Sequence, residues 1–373
     1  MNIKEILFCL FFLFGGLTFA QQDSLVKPIY FEKAPQNLVR FYYDANYYLV
    51  DKNCEFKAIE RLSEFVVSKN VFNGPFKDFA ANGKVILTGN HVLGVKEGLF
   101  EAFHPNGQLK WRATFKNNAA TGLWSYFYPD GKPFMTINYT DTAVLLQDFW
   151  DQKAVQRVTA GEGNYQFKMP FTTYNEYGYP FFERKGKVKK GKPVGYWPVK
   201  FVDDRGRSEL ANEEEYTAEG VFKKGFDLFT SQRYSVPYSI IPAESFLHAE
   251  TLTFKSCNFD DYSGFLTYLT TKFSNMVKPT RQFGAFSTQF TYVVEINHEG
   301  TPEKAKLKKE FENTELNRVL EIIINKVPYY FPTLVEGQPA YDTLTVSMQL
   351  EVSENGQFIF HSAQIHRERE VKQ

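Results

Sequence analysis

The sequence predicts a multidomain chain: an all-β domain of repeated hairpins, followed by a smaller α+β carboxy-terminal domain. A glycine and aromatic pattern returns every 24 residues in the middle of the chain. Apolar residues in the last third switch between the helical period of 3.6 and the strand period of 2. The stretch YSVPYSIIPAES (234–245), with two prolines and no charge before Glu244, separates the two parts. At 373 residues there is enough chain for more than one core.

The pattern is clearest in three segments, NGPFKDFAANGK, EGLFEAFHPNGQ and TGLWSYFYPDGK, starting at Asn73, Glu97 and Thr121. Gly74, Gly98 and Gly122 keep the 24-residue step, as do Phe76, Phe100 and Trp124, and the turn glycines Gly83, Gly107 and Gly131. Asn70, Gly94 and Asn118 mark a second turn with the same period. A looser copy has Gly191, Gly195 and Trp197, with Gly206 arriving two residues late, and a fifth start lies at 222–225. Asn-Gly and Asp-Gly supply the positive φ values of tight hairpin turns, so each copy reads as a hairpin. A single hairpin cannot bury its aromatic face, so neighbours must stack on it. Phe76, Phe100, Trp124 and Trp197 are accordingly read as core residues ahead of a ligand platform. The lysine-rich KGKVKKGK (185–192) reads as a solvated hairpin edge, and Glu213, Glu214 and Glu215 as a solvated loop.

In the last third, Tyr262, Phe265, Leu266, Leu269, Phe273, Met276 and Val277 follow the helical period. Asp260 or Asp261 caps that helix and Pro279 ends it. Phe290, Tyr292, Val294 and Ile296 alternate as a strand that turns at His298, Glu299 and Gly300 into a second strand. Leu316, Val319, Leu320 and Ile323 mark another helix, and Leu344, Val346, Met348 and Leu350 a last strand.

The first twenty residues have the layout of a secretory signal peptide: Lys4, an apolar run, then Thr18-Phe19-Ala20. The apolar stretch is shorter than the roughly 17 to 25 residues that cross a bilayer, so cleavage after Ala20 is expected. The alternative is an uncleaved inner-membrane anchor. The expected organisation is 1–20 signal peptide, 21–64 amino-terminal segment, 65–232 hairpin repeats, 233–259 linker, 260–352 carboxy-terminal domain and 353–373 tail. Cys54 and Cys257 remain after cleavage, either as a disulfide or as free thiols.

Lysine plus arginine and aspartate plus glutamate number 43 each, so no global field favours nucleic acid or an anionic membrane. The six histidines (91, 104, 248, 298, 361, 366) are scattered. No nucleophile motif, phosphate loop or metal-spaced pair occurs. No enzyme, cofactor or metal site is expected.

The G-x-[FW]…(N/D)-G unit resembles variant MORN repeats over residues 65–229, with a weak gap at 140–170. That resemblance implies a scaffold or interaction surface. The carboxy-terminal pattern resembles that of the TonB family: Ile296-x-x-x-Gly300, then Tyr330-Phe331-Pro332, then Gly337-Gln338-Pro339-Ala340 and a strand from Thr343. It departs from an energy transducer in its cleavable amino terminus and in lacking a long proline-rich spacer. Together these imply a non-catalytic periplasmic binding protein serving an outer-membrane transport or secretion component. The alternatives are an atypical inner-membrane transducer and a glycan-binding module. The TonB-like resemblance further implies an edge strand at 343–352. There Thr343, Thr345, Ser347 and Gln349 form the wettable face and the backbone accepts an extended partner segment. The competing arrangement pairs this strand with the chain's own tail.

Overall fold

Two kinds of turn build the hairpins, and the glycines decide which is which. The structure is a computed structural model describing residues 27–172, 174–335 and 337–368; the signal segment and its processing site lie outside the described residues. At one end of each hairpin, Gly83, Gly107 and Gly131 have φ of 77°, 89° and 82°. Their N–H groups donate back to the carbonyls of Ala80, His104 and Tyr128 at 2.8 Å. The asparagine or aspartate beforehand does not share the positive φ. Instead Asn82, Asn106 and Asp130 each accept the N–H two residues on, at 3.1, 3.0 and 3.1 Å. At the other end both turn residues are left-handed: Leu93 and Gly94, Asn117 and Asn118, Ala160 and Gly161, Lys190 and Gly191. These are the two-residue turns whose twist matches the flanking strands.

The repeat runs further than its consensus. Across 140–170, where the pattern is weak, the strands Val144–Trp150, Gln156–Thr159 and Glu162–Pro170 continue the sheet. Ala154, at φ 61°, takes the place of the turn glycine. The late Gly206 is absorbed by a longer strand, Lys192–Val202, and still occupies its turn at φ 80°. Upstream, Phe31–Lys33, Val39–Tyr43 and Ile59–Val66 join the same sheet, so the amino-terminal segment belongs to it. Among the described residues this is one 18-stranded sheet of antiparallel strands from residue 31 to residue 234, in which Val95–Lys96 and Gly98–Phe103 both pair with Val85–Val92.

Phe76, Phe100, Trp124 and Trp197 are all buried in this sheet's core. Small residues make room for them. Gly89 pairs with Phe76, and a Cβ there would stand 2.5 Å from the Phe100 ring. Gly186 leaves the same space under Trp197, 2.3 Å from a built Cβ. The strand that holds Lys185, Lys187 and Lys189 is paired on both sides, so these lysines stand on a sheet face rather than at an edge. Glu213, Glu214 and Glu215 are in the strand Ser208–Tyr216, not a loop, and alternation sends Glu214 fully into the core.

The stretch read as a linker packs on the sheet. Ile240, Phe246 and Ala249 belong to its core, and the Phe246 ring lies 5.1 Å from that of Trp111 and 6.0 Å from that of Phe100. The short helix Ser245–Thr251 presents Phe246 and Ala249, and Leu49 then pairs with Phe254. Cys54 and Cys257, with Cα atoms 5.5 Å apart, form a disulfide.

The carboxy-terminal unit places the helices Phe265–Met276 and Thr314–Ile324 against a four-stranded sheet. The first helix is preceded by a separate turn, Phe259–Tyr262, because Gly264 adopts φ 83° between them. That turn is capped by Asn258, which accepts the Asp261 N–H, rather than by Asp260 or Asp261, and the helix itself starts at Gly264 without a side-chain cap. The second helix is capped by Asn313.

The strand order is Pro302–Leu307, Phe286–Ile296, Asp342–Val352, Phe358–Arg367. This corrects the edge expectation: the strand holding Thr343, Thr345, Ser347 and Gln349 is interior, paired on both sides. The tail takes the edge because Phe358 and Phe360 alternate into the same core, and burying them requires pairing there. The carboxy-terminal domain thus extends past residue 352. Even the new edge is engaged, since the Phe360 N–H donates to Ser274 Oγ at 3.0 Å.

Gly107 and Gly131 have no neighbouring atom a methyl group would strike closely, so their constraint is conformational. Gly107→Val and Gly131→Val should each cost about 1–3 kcal/mol, read as a lower thermal unfolding midpoint. An unchanged midpoint would show that neither turn requires the left-handed conformation.

Candidate functional site

A groove of about 870 Å³ lies on the repeat sheet, where the consensus is weakest. Tyr128, Phe149 and Phe167 lie beneath it, and Lys153, Arg157, Lys168 and Lys185 line it with Asp151 and Glu183. Alternation along Glu162–Pro170 explains this layout: Tyr165 turns into the core while Gln166 and Lys168 face water. Arg157 pairs with Asp151 at 2.8 Å, and Gln166 bonds Glu183 at 3.2 Å. Lys168 sits over the Phe181 ring at 4.5 Å. Among the described residues Lys153, Lys168 and Lys185 enter no ion pair, which leaves the groove with a positive surplus. Such a surface attracts an acidic segment through charge and long side chains rather than through exposed rings, because Phe149 is buried and Tyr128 nearly so.

Two buried ionic clusters hold the connector on the sheet. Arg61, wholly buried, donates to both oxygens of Asp78 at 2.8 and 2.9 Å and lies 4.2 Å from the Phe76 ring centre. Glu250 approaches from the connector and receives Lys96 at 2.6 Å and His91 at 2.8 Å. Burial alone would raise its pKa. The His91 hydrogen bond and the charges of Arg61 and Lys96 outweigh that and bring it down to about 2. Burial pushes the His91 pKa below its usual value. In the second cluster, Arg184 donates to Glu214 and to the Tyr238 carbonyl, and Glu214 also accepts from Tyr216, Tyr234 and the Tyr238 N–H. Arg184 lies 4.9 Å from the Trp197 ring centre, repeating the arrangement of Arg61 on Phe76.

Of the residues singled out from sequence, Gly83, Gly107, Gly131 and the repeat aromatics belong to the architecture of the sheet and do not line the groove, whereas the late turn glycine Gly206 does. Thr343, Thr345, Ser347 and Gln349 do come together, on the solvent face of the carboxy-terminal sheet. There Ser347 pairs with Thr291 and Gln364, and Gln349 with Gln289 and His361. The sequence reading missed both ionic clusters. Asp78 had a signal, since it shares the strand face of Phe76, two residues before it. Glu250 had none, because its partners lie more than 150 residues away.

Residues 96–117 and 120–141 match the family model of the MORN repeat variant. The chain therefore contains two such repeats, which coincide with hairpins in the sheet. No curated protein matches the chain. Among the described residues no helix is long and apolar enough to cross a membrane, and no group of three or more His, Cys, Asp or Glu is placed to hold a metal.

The Glu250 cluster predicts acid sensitivity with a definite sign. A carboxylate whose folded pKa is below its unfolded value adds stability above about 4.5 that is lost as pH falls toward 2. A buried neutral His91 adds stability that begins to fall below about 6.5. The unfolding midpoint should thus drop as pH is lowered from 7 to 3. Glu250→Gln should cost about 3 kcal/mol at pH 7 by stranding Lys96, and should flatten the acid limb. A midpoint equal to that of the unmodified protein at pH 7 would show that the connector is not held by this charge.

Proposed function

We propose that the chain is a non-catalytic periplasmic protein-binding scaffold of a Gram-negative envelope, an accessory to an outer-membrane transport or secretion component. The observation that carries this reading is the disulfide joining Cys54 of the repeat sheet to Cys257 at the end of the connector. Disulfides persist in oxidising compartments, in keeping with the secretory layout of residues 1–20. Closing a loop with a sequence separation of 203 contributes roughly 5 kcal/mol in the chain-entropy model, so it suits a rigid body that must remain folded outside the cytoplasm.

A TonB-like carboxy-terminal domain is part of the proposal. Its support is the order of helix, hairpin, helix and strand, with Gly300 at φ 80° closing the hairpin and packed against the Tyr330 carbonyl. With the strand at 342–352 interior and the tail edge bonded to Ser274, strand addition there is disfavoured. The repeat sheet then becomes the docking surface, and its basic groove suits an acidic segment of the envelope partner.

Intact-mass measurement on envelope protein should find a mature chain starting at Gln21. A full-length, membrane-embedded product would favour the inner-membrane transducer instead. Cross-linking pull-down from native envelopes should recover one partner with the unmodified protein. The triple variant Lys153→Glu, Lys168→Glu, Lys185→Glu should lose it at least tenfold while remaining folded by circular dichroism. Equal recovery by the variant would remove the groove from the docking surface.

A further inference from the structure

The 24-residue step holds for a second set of aromatics, Phe79, Phe103 and Phe127, and Trp150 follows one residue early. They sit at the ends of the strands Val71–Ala80, Gly98–Phe103, Ala119–Phe127 and Val144–Trp150. Phe79, Phe103 and Phe127 come three residues after Phe76, Phe100 and Trp124, and Trp150 comes one after the buried Phe149, so alternation turns all four to the opposite face of the sheet. They are half-buried there and belong to no core cluster. Unlike the rings of Phe76 and Phe100, which meet at 5.7 Å, these four touch no other ring among the described residues.

The strands between them complete an apolar strip. Phe79 pairs with Val85, Phe103 with Leu109 and Phe127 with Pro133, each beside a one-residue bulge. The extra residue turns to the core, where Lys110 reaches Glu244 of the connector and Phe134 is buried, so Leu109 and Pro133 stay outside with the rings. Two residues inward, a polar row crosses the same strands in register, from Lys77 through Glu101, Arg112 and Thr136 to Asp148. With neighbouring strands about 4.8 Å apart, rings on every second strand stand about 9.5 Å from one another.

We propose that this strip binds a straight, uncharged β-1,4-linked glycan lying across the hairpins. Each sugar of such a chain is flipped relative to the one before, so the same flat C–H face returns at every second sugar, a repeat close to the ring spacing. Aromatic faces carry negative charge density and attract those C–H groups. A hexasaccharide reaches across all four rings. The polar row runs alongside to meet the sugar hydroxyls, and its charges balance. Arg112 pairs with Glu101 at 2.6 Å, while Lys77 at one end offsets Asp148 at the other, where Thr136 donates at 2.9 Å and Gln156 at 3.0 Å. Thr88 and Ser125, which lie in the same row, enter no side-chain hydrogen bond among the described residues and are free to bind hydroxyls. The strip shares no residue with the basic groove.

Cellohexaose and N-acetylchitohexaose, titrated into the chain by calorimetry, should give saturable binding of at least one, at least tenfold tighter than its disaccharide. Maltohexaose, whose α-linked chain curves, should bind at least tenfold more weakly than that hexasaccharide. Phe103→Leu and Phe127→Leu keep apolar volume but remove the flat ring, and each should weaken hexasaccharide binding at least tenfold with an unchanged unfolding midpoint. Should both lower the midpoint, Ser125→Ala, which removes one hydroxyl of the polar row, carries the test with an expected loss of at least threefold. No saturable hexasaccharide binding, equal binding of maltohexaose, or equal binding by a variant that keeps its midpoint overturns the proposal. A dimer of the unliganded chain in sedimentation that Phe103→Leu dissociates also overturns it, and assigns the strip to a second copy.

Discussion

A single sheet of hairpins has one aromatic face and nothing of its own to cover it. Stacking one hairpin beside the next joins their backbones and aligns their rings, but Phe100, Trp111 and Phe115 would still face water without a second layer. The chain supplies that layer from its own connector, which lays Ile240, Phe246 and Ala249 on the rings. Non-directional burial of apolar area accounts for the gain in covering the face. It does not say where along a long row of similar hairpins the cover should sit.

Buried charge supplies that register. Each end of the cover is fixed by an arginine lying on a repeat aromatic and neutralised by a carboxylate: Arg61 with Asp78 over Phe76, and Arg184 with Glu214 over Trp197. The connector answers one with Glu250 and the other with the backbone of Tyr238. A shift by one residue would take Glu250 away from Lys96 and His91, and the Tyr238 backbone away from Arg184 and Glu214, leaving buried charge short of its partners, a far larger penalty than mispairing two apolar side chains. The disulfide at the connector's far end closes the same arrangement covalently.

The cover also couples the two units. Beyond it, the 174–180 loop of the sheet reaches the carboxy-terminal helices. There Tyr174 packs on Phe265, Tyr268 and Phe331, and Glu176 pairs with Lys272 at 2.6 Å. Phe56 stacks on Tyr262 at 4.2 Å. Asp260, at the start of that unit, is held by Arg367 from its last strand at 2.8 and 2.9 Å. The result is a body whose outer surfaces are sheet faces in fixed relation, the basic groove on one unit and the threonine and glutamine face on the other.

The sequence by itself determined the local geometry. Glycine at positions that need positive φ marked the turns of the three clear repeats, and period-2 alternation put Phe76, Phe100, Trp124 and Trp197 inside. The apolar stripe of Leu316, Val319, Leu320 and Ile323 marked the second helix. These are readable because each depends on residues a few positions apart. Where a turn used Ala154 instead of glycine, the same geometry was present but its signal was not. Tertiary structure alone decided what covers the aromatic face, that Cys54 meets Cys257, that Glu214 is buried while Glu213 and Glu215 are not a loop, and that the tail takes the sheet edge from residues 343–352. It also decided the candidate groove, which joins residues from separate strands and turns. Such contacts follow from which apolar surfaces remain uncovered once local structure has formed, and that remainder belongs to the whole chain rather than to any window of it.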